Sequence, residues 1–380
     1  MISEKVKRLK PSATLAVNKK AKELIAEGKD VINLSVGEPD FDTPDIIKRA
    51  GIEAIKEGFT KYTEAKGIKE LRVAISEKLE RENNLKYDPD NIVVSNGAKH
   101  SLFNTFLAIL NPGDEVIIPA PYWVSYPPMV EIAGGKPVIC RWNEKFKIDT
   151  DELKKLINKR TKALILNTPS NPTGIVYTKK ELEEIAEIIV KNKILCISDE
   201  VYEKILYETE HISIASLSEE VKKLTVVVNG VSKTFAMTGW RIGYIAAEKE
   251  IADAVGKIQS QTTSAPSSIS QKASLSALKA GKDVYSEMVE EFRKRRDFLI
   301  KNISSEVKFP VPQGAFYLFF SFKNMDGFTF AQRLLEEKFV AVVPGVSFGA
   351  ENYVRISFAT SLENLKKAIE RINEFIEENK

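Results

Sequence analysis

The sequence contains very few cysteines and histidines. Its 380 residues include two cysteines, Cys140 and Cys196, and two histidines, His100 and His211. Each cysteine lies inside an apolar run, which predicts a buried thiol in a reducing compartment. A zinc site or a serine–histidine–aspartate relay needs residue spacings that this sequence does not contain, so we predict no metal site.

Long apolar runs and an excess of one charge are also missing. No run approaches the ~20 residues that a membrane-spanning helix requires, and the N-terminal stretch lacks the apolar centre of a signal peptide. The 56 basic and 53 acidic residues are interleaved and leave a net charge of +3, which does not form the basic surface of a nucleic-acid-binding protein. We therefore expect a cytoplasmic protein that binds neither membranes nor nucleic acid.

The composition is that of a folded globular protein, with 43% hydrophobic and 29% charged residues. Through the middle of the chain, short apolar segments alternate with amphipathic helical patterns. This alternation predicts an α/β fold with a mostly parallel sheet covered by helices on both faces. The predicted strands are NIVVS (91–95), EVIIP (115–119), KALIL (162–166), ILCIS (194–198), LTVVV (224–228) and RIGYIAA (241–247).

The length of the chain is sufficient for two domains. We predict a large α/β domain over 45–285. The C-terminal part combines long helices with a few apolar segments, and we expect the N-terminal segment to pack against it. This predicts a smaller α+β domain formed by 1–44 together with 286–380. Within the large domain, Thr178 and Glu181 have the spacing of a capping box at a helix start.

Polar segments directly follow several predicted strands. In open α/β sheets, ligands bind beyond the carboxyl ends of the strands. We therefore expect these segments to form one pocket. They are SNGAKHS, PAPYWVSY, NTPSNPTG, SDEVYEK and NGVSKTF.

Lys233, Asp199 and Tyr202 suggest a chemistry for this pocket. A lysine just beyond a buried strand loses hydration, which lowers its pKa and allows the neutral amine to condense with an aldehyde. Asp199 could hold the ring nitrogen of pyridoxal phosphate protonated, and Tyr202 could reach the phenolic oxygen of that ring. The alternative is an ordinary solvated lysine and a carboxylate that caps a turn.

Other residues of the pocket suit the same cofactor. Asn171 lies between two prolines, in a turn that is rigid whether or not it binds the phenolic oxygen, and a cis peptide there is one option. Gly97 and Ala98 lie at a strand-to-helix turn whose backbone N–H groups suit a phosphate. Arg241 can bind a phosphate through two parallel hydrogen bonds, and Trp123 either stacks on a flat ring or belongs to the core.

Five segments, in this order, resemble the pyridoxal-phosphate-dependent aminotransferases of class I. They are VGEPDFDTP, SNPTG, SDEVYE, SKTFAMTGWRIGY and VRISFATS. The sequence is similar over nearly its whole length to the bacterial branch that contains aspartate and aspartate/prephenate aminotransferases. The resemblance implies the pyridoxal-phosphate-dependent transferase fold, with a large, mostly parallel sheet of seven-stranded type and a smaller α+β domain.

The resemblance also implies how the cofactor would be held. Lys233 would bind it as a Schiff base and would later move the substrate's proton. Asp199 would pair with the pyridine nitrogen, while Asn171 and Tyr202 would hold the phenolic oxygen and Trp123 would stack on the ring. The implied phosphate-binding residues are Gly97, Ala98, Lys99, Ser232 and Arg241.

For the substrate, the resemblance implies that Arg355 binds the α-carboxylate, helped by the backbone of Gly37. Trp123 and Asn171 would border the same space. Tyr62 would reach the cofactor phosphate of a neighbouring subunit, which makes the expected catalytic unit a homodimer.

The implied reaction is amino transfer between L-aspartate and 2-oxoglutarate by a ping-pong mechanism, with prephenate as a further substrate. Lys10, in LKPSAT, either contacts prephenate or is a solvated tail residue. A broad aromatic aminotransferase or a carbon–sulfur β-lyase on the same fold is an alternative. A ligand-sensing regulator would carry a DNA-binding module, for which the early aminotransferase pattern leaves no room. A dinucleotide-binding dehydrogenase would need a G-x-G-x-x-G turn that is missing.

Overall fold

A computed structural model describes residues 1–3, 6, 7, 9 and 13–380 of the chain. These residues form a seven-stranded, a four-stranded and a two-stranded sheet. The strands are β1 (Ile32–Asn33), β2 (Ile92–Ser95), β3 (Glu115–Pro119), β4 (Lys136–Cys140), β5 (Thr161–Asn167), β6 (Leu195–Asp199), β7 (Thr225–Gly230), β8 (Gly243–Ala246), β9 (Val307–Lys308), β10 (Tyr317–Phe322), β11 (Val340–Ala341), β12 (Val343–Pro344) and β13 (Tyr353–Ser357).

Helices precede, connect and follow these strands. The α-helices are α1 (Ala13–Ala26), α2 (Asp45–Lys56), α3 (Lys69–Asn83), α4 (Ala98–Ile109), α5 (Tyr126–Ile132), α6 (Thr150–Leu156), α7 (Lys179–Asn192), α8 (Glu219–Lys223), α9 (Lys249–Ser260), α10 (Ser268–Ala280), α11 (Ser286–Asn302), α12 (Gly327–Lys338) and α13 (Leu362–Glu378). Short 3₁₀ helices span Pro89–Asn91, Ile214–Ser216, Thr238–Trp240, Lys282–Val284 and Gly345–Phe348. No helix in the described part of the chain is long and apolar enough to span a membrane.

The seven-stranded sheet has the strand order β2-β8-β7-β6-β5-β3-β4. Strand β8 runs antiparallel to its neighbours β2 and β7, and the other pairs are parallel. The predicted α/β class and the mostly parallel sheet are confirmed. The sequence prediction did not include β4, because this edge strand contains Pro137 and exposes Ile139. An edge strand that is solvated on one side lacks the continuous apolar run of a central strand.

Helices cover both faces of this sheet. The consecutive residues Val93 and Val94 of β2 belong to different hydrophobic clusters, as the alternation of side chains along a strand requires. Val94 lies in the cluster that includes Ala273 of α10, whereas Val93 lies in the cluster that includes Phe106 of α4. Both cysteines are buried and unpaired, as predicted. The helix α7 begins with the predicted capping box of Thr178 and Glu181.

The four-stranded sheet is antiparallel and has the order β12-β13-β10-β9. The N-terminal segment packs against the same part of the molecule, because β1 pairs in parallel with β11. Ile32 and Leu34 share one hydrophobic cluster with Phe320 of β10 and Phe375 of α13. The division of the chain into 45–285 on one side and 1–44 with 286–380 on the other stays a prediction.

Candidate active site

The polar strand ends converge on one cavity of about 400 Å³. Strands β5 and β6 end side by side, with Asn167 opposite Asp199 in the register, and Asp199 is opposite Val228 of β7. The cavity therefore lies beyond the carboxyl ends of the central strands, where a parallel sheet is expected to bind its ligand. Arg355 of β13 lines the same cavity from the four-stranded sheet.

Most of the predicted site residues line this cavity together. Gly97 and Tyr62 do not line it. Gly97 packs against the guanidinium of Arg241, and Tyr62 is 98% exposed. Lys10 lies outside the described residues. The predicted residues that line the cavity on the substrate side are Gly37, Trp123, Asn171 and Arg355, and the others are Ala98, Lys99, Asp199, Tyr202, Ser232, Lys233 and Arg241.

Lys233 follows β7 after a short turn, and its amine enters the cavity. Its Nζ atom donates a hydrogen bond to the backbone carbonyl of Gly37 at 2.7 Å. Desolvation in the cavity lowers the pKa of Lys233 to about 8, although the carboxylate of Glu38 opposes this change. Arg241 and Arg355 add to the lowering because they repel a second positive charge. The neutral amine that a nucleophilic lysine requires is therefore much more populated near neutral pH than it is for an exposed lysine.

Asp199 is the last residue of β6 and is buried. Its Oδ2 atom accepts a hydrogen bond from the hydroxyl of Tyr126 at 2.7 Å. Burial raises the pKa of Asp199 to about 6, while the hydrogen bond from Tyr126 and the charge of Lys233 act in the opposite direction. A buried carboxylate of this kind is stabilised by a positively charged partner. A protonated pyridine nitrogen would be such a partner.

The turn after β5 connects Asp199 to Asn171. The side chain of Asn167 donates to the carbonyl oxygen of Asp199 at 2.9 Å, and its Oδ1 atom accepts from the backbone N–H of Asn171 at 2.9 Å. The peptide bonds Thr168–Pro169 and Asn171–Pro172 are both cis. The two hydrogen bonds of Asn167 fix Asn171 relative to the strand end that carries Asp199.

Arg355 forms the opposite wall of the cavity and is 3% exposed. Its Nη1 atom donates to Oδ1 of Asn171 at 3.0 Å, and its Nη2 atom donates to the carbonyl of Ser35 at 2.8 Å. Its buried Nε atom has no hydrogen-bond partner within the described structure. A buried guanidinium with an unpaired donor has the chemistry to bind a carboxylate.

An anion-binding turn closes one end of the cavity. Gly97 has φ +84°, and α4 starts at the next residue, so the free backbone N–H groups of the first turn meet the cavity at Ala98. A Cβ atom at Gly97 would lie 2.5 Å from Nη2 of Arg241, so only glycine allows this approach. Arg241 is held by the carbonyl oxygens of Thr238 and Asn96, at 3.0 and 3.2 Å. Helix start and guanidinium together provide a site for a phosphate.

Lys99 and Trp123 lie next to this turn. The Nζ atom of Lys99 is 4.9 Å from the centroid of the Trp123 ring. Burial lowers the pKa of Lys99, and the nearby charge of Arg241 lowers it further. The indole therefore presents an aromatic face to the cavity beside a cation that is only partly solvated.

The sequence analysis missed five polar residues of this cavity: Ser125, Tyr126, Asn167, Thr238 and Tyr317. Tyr317 places its hydroxyl 2.9 Å from the hydroxyl of Tyr202. Tyr126 and Asn167 carried a usable signal, because both lie in segments that follow or end predicted strands. Tyr317 carried none, because it lies in the apolar run AFYLFFSF and is indistinguishable there from a core aromatic residue.

A second polar cluster lies outside the cavity. Among the described residues, Glu200, Glu203 and His211 bring ligand-type atoms within 4.8 Å of one another. The carboxylate of Glu200 already binds Nε2 of His211 at 3.1 Å and the hydroxyl of Ser213 at 2.6 Å. Glu203 forms a buried ion pair with Lys78. Because these partners engage both carboxylates, the cluster is a structural network that stabilises the turn after β6.

These features fit one cofactor. The aldehyde of pyridoxal phosphate needs a neutral amine, its ring nitrogen needs a carboxylate and its phosphate needs an anion-binding turn. The cavity provides Lys233, Asp199 and the turn at Ala98 for these groups. The protein therefore belongs to the class of enzymes that carry pyridoxal phosphate on an α/β fold.

The particular family follows from comparison with known proteins. The family model "Aminotransferase class I and II" matches residues 29–372, and the chain belongs to this family. It is 49% identical to an aspartate aminotransferase of Bacillus sp. (strain YM-2), over 99% of each chain. It is 46% identical to an aspartate/prephenate aminotransferase of Nitrosomonas europaea, over 98% of each chain.

A solved structure agrees with these sequence matches. The aspartate aminotransferase of Thermus thermophilus, solved with maleate, superposes with a TM-score of 0.95 at 46% identity. The alignment covers 98% of this chain and 99% of the Thermus chain. The predicted family, fold, enzyme class and cofactor are confirmed.

Proposed function

We propose that this aminotransferase moves the amino group between L-aspartate and 2-oxoglutarate by a ping-pong mechanism. The names of the relatives support aspartate as a substrate. The observation that carries the proposal is that Lys233, Asp199 and Arg355 line one cavity. One cavity therefore contains a nucleophilic amine, a carboxylate that can accept a hydrogen bond from a ring cation, and a cation that can bind a carboxylate.

The protein's contribution to the chemistry is orientation and proton transfer. When bound, pyridoxal phosphate supplies delocalisation of the electrons that remain after the amino acid loses its Cα proton. Asp199 would hold the ring nitrogen protonated, and Asn171 and Tyr202 would hold the phenolic oxygen. Arg241, Ser232 and the turn at 97–99 would bind the phosphate, and Trp123 would stack on the ring.

Substrate orientation depends on Arg355 and Lys233. Arg355 binds the α-carboxylate through its guanidinium, next to the backbone of Gly37, and this fixes the direction of the Cα–H bond. Lys233, once its amine is free, would accept the proton from Cα and act as the proton carrier of the site. Its lowered pKa suits this role, because a protonated amine could not accept a proton.

Lys99 is the residue we propose for the second carboxylate of aspartate. Among the residues that the structure describes, the cationic side chains that line the cavity are Lys99, Lys233, Arg241 and Arg355. Lys233 is the reactive amine, Arg241 is assigned to the phosphate and Arg355 is assigned to the α-carboxylate. The backbone at Lys99 can serve the phosphate, while its ammonium, above the Trp123 ring, is left for a side-chain carboxylate.

This assignment separates a dicarboxylate-specific enzyme from a broad aromatic aminotransferase. Replacing Lys99 with Met should lower kcat/KM for aspartate by about tenfold or more, with a much smaller effect on phenylalanine, which has no second carboxylate. Equal losses for both donors would contradict a role of Lys99 in recognising the side chain.

Prephenate is a further proposed substrate, because several relatives are named aspartate/prephenate aminotransferases. Lys10 is our candidate contact. The Lys10→Ala variant should lose rate with prephenate more than with oxaloacetate. Losses of equal size on the two oxo acids would remove its special role.

We also propose that the enzyme is a homodimer in the cytoplasm, with the large and small domains divided as predicted from the sequence. The exposure of Tyr62 supports the dimer, because a ring that is 98% exposed in one chain is available to a second chain. The helix α2 also exposes Ile46, Ile52 and Ile55. Three isoleucines in contact with water on one helix are unusual for a free surface and suit a subunit contact.

The direct test is amino transfer by wild-type protein and by Lys233→Ala. The wild type, loaded with pyridoxal phosphate, should produce glutamate from aspartate and 2-oxoglutarate. Lys233→Ala should lose this activity, whereas Lys249→Ala, which changes an exposed lysine paired with Asp253, should retain it. Full activity of Lys233→Ala would contradict the proposed function.

A further inference from the structure

We propose that Tyr317 is a positioning residue that couples the cofactor-binding hydroxyl of Tyr202 to the carboxylate-binding guanidinium of Arg355. This inference rests on the proposed function, because it assigns a partner on the cofactor to Tyr202 and a partner on the substrate to Arg355. Tyr317 is the first residue of β10 and lines the cavity.

Tyr317 contacts both residues at once. Its hydroxyl lies 2.9 Å from the hydroxyl of Tyr202, and the two rings meet edge to face with centroids 5.9 Å apart. The guanidinium carbon of Arg355 lies 4.5 Å from the centroid of the Tyr317 ring. The hydroxyl of this side chain therefore forms a hydrogen bond with Tyr202, and its aromatic face packs against the guanidinium of Arg355.

The position of Tyr317 is closely fixed by its surroundings. The side chain is fully buried, and its ring packs against Phe316 with centroids 4.8 Å apart. A Cβ atom added at Gly37 would lie 2.8 Å from the Tyr317 hydroxyl, so the backbone of Gly37 bounds that hydroxyl closely. The β10–β13 pairing places Tyr317 opposite Ser357, two residues from Arg355 along β13. The tyrosine and the arginine are thus held on neighbouring strands.

The order of the two hydroxyls determines the direction of the hydrogen bonds. A phenol donates one hydrogen bond. If Tyr202 donates to the cofactor's phenolic oxygen, it cannot also donate to Tyr317, so Tyr317 must donate to Tyr202. Burial raises the pKa of both phenols, so both stay protonated and able to donate. In a chain of this kind each bond polarises the next, which makes Tyr202 a stronger donor.

The two linked hydrogen bonds predict an electronic effect of Tyr317 on the cofactor. A hydrogen bond donated by Tyr202 withdraws negative charge from the phenolic oxygen and so favours loss of the proton from the lysine-bound nitrogen beside it. Removing the Tyr317 hydroxyl weakens Tyr202 as a donor. The nitrogen of Lys233 should then keep its proton to a higher pH.

Two substitutions separate the hydroxyl from the ring. Tyr317→Phe keeps the aromatic face next to Arg355 and removes only the hydroxyl. It should raise the pH midpoint of the cofactor's absorbance change by roughly half a pH unit. It should leave the dissociation constant of maleate, a dicarboxylate that does not react, within about twofold. Tyr317→Leu also removes the ring and should weaken maleate binding by about tenfold or more.

The experiment is a pH titration of the absorbance of each purified holoenzyme, with maleate binding measured on the same samples. Tyr207→Phe is the matched control, because Tyr207 is also buried and donates its hydroxyl hydrogen bond to a backbone carbonyl, that of Ala315. Its midpoint should equal that of the wild type. A Tyr317→Phe midpoint equal to the wild-type value would overturn the inference while leaving the proposed function intact. A wild-type protein without any pH-dependent band would contradict the proposed function itself.

Discussion

Burial shifts the pKa values of Lys233 and Asp199 in the directions that favour their neutral forms. Desolvation lowers the pKa of Lys233 to about 8 and raises that of Asp199 to about 6. Each group is therefore destabilised when charged in the free protein. A protonated ring nitrogen next to Asp199 and a covalent bond at Lys233 would remove both penalties.

The lowered pKa of Lys233 predicts a pH-dependent stability of the cofactor-free protein. Between pH 8 and 10.5 the unfolded chain binds more protons at this lysine than the folded chain, so the free energy of unfolding rises with pH over this range. Lys233→Met removes the effect. The variant should be more stable than the wild type by up to roughly 3 kcal/mol below pH 8, less what solvent in the cavity screens. Chemical denaturation at pH 7 and pH 10.5 checks this.

The stability difference between Lys233→Met and wild type should nearly vanish at the higher pH. Lys249→Met provides the control, because the pKa of Lys249 is raised by its hydrogen bond to Asp253 and the residue is exposed. A Lys233→Met difference that is the same at both pH values would show that the amine is not desolvated in the folded protein.

Arg355 supports a prediction about substrate binding. Two of its nitrogens are oriented by Asn171 and Ser35, and lysine cannot reproduce this planar arrangement. Arg355→Lys should therefore lower kcat/KM for aspartate by about 100-fold, measured in steady-state assays. Arg371→Lys, at an arginine paired with Asp30 away from the cavity, should have no such effect. A loss below about threefold for Arg355→Lys would exclude the α-carboxylate as its partner.

At the level of secondary-structure elements, the sequence predicts the features that depend on local residue patterns, such as central strands and the polar residues after them. Central strands such as β6 and β7 are apolar on both faces, and the polar residues that end or follow them, Asp199 and Lys233, could be placed in one pocket. The edge strand β4 was missed because it is half solvated. Strands of two residues, such as β1 and β11, have no periodicity to detect and form only because the tertiary structure brings them together.

Two of the missed site residues, Tyr126 and Tyr317, are the first residues of α5 and β10. Tyr317 matches the pattern of a core aromatic residue, whereas the position of Tyr126 after a predicted strand could place it near the pocket but could not name its partner. Which buried tyrosine also has a hydroxyl partner, such as Asp199 or Tyr202, depends on packing between distant parts of the chain. Sequence patterns contain no information on that pairing.

The capping box of α7 gives a prediction at this scale. One carboxylate oxygen of Glu181 accepts from the backbone N–H and the hydroxyl of Thr178, both at 2.8 Å, and also binds Lys147. Glu181→Ala should lower the free energy of unfolding by about 1 kcal/mol and leave activity unchanged, because α7 does not line the cavity. Denaturant midpoints and steady-state assays measure the two effects.

Glu183 is the matched control on the same helix. In the described part of the chain, its ion-pair partner is Lys179, at 3.8 Å on the exposed surface. Glu183→Ala should therefore change the free energy of unfolding by less than about 0.5 kcal/mol. An equal loss in both alanine variants would show that the capping geometry adds nothing.

On the scale of the whole molecule, the cavity is assembled from three distant parts of the chain. The seven-stranded sheet contributes Asp199 and Lys233, the four-stranded sheet contributes Arg355, and the N-terminal segment contributes Gly37. The lysine proposed to bind the cofactor and the arginine proposed to bind the α-carboxylate therefore come from different parts of the fold. A dimer in which Tyr62 reaches the neighbouring cavity would add a fourth contribution.

Ile52 allows a test of the dimer. Placing a charge on this exposed isoleucine of α2 should convert the protein to a monomer, because a buried charge in an apolar contact lacks a partner. Ile52→Glu should sediment as a monomer and bind pyridoxal phosphate about tenfold or more weakly, since Tyr62 of a second chain is lost. Phe328→Glu, at an exposed phenylalanine on α12, should remain dimeric. A dimeric Ile52→Glu protein would place the contact elsewhere.

The most direct test of the central claim is an absorbance scan of the purified protein before and after addition of aspartate, and again after addition of 2-oxoglutarate. We predict a band from the cofactor bound at Lys233, loss of that band with aspartate and its return with 2-oxoglutarate. A band that aspartate leaves unchanged would contradict aspartate as the amino donor. Absence of any band in protein mixed with pyridoxal phosphate would contradict the assignment of Lys233.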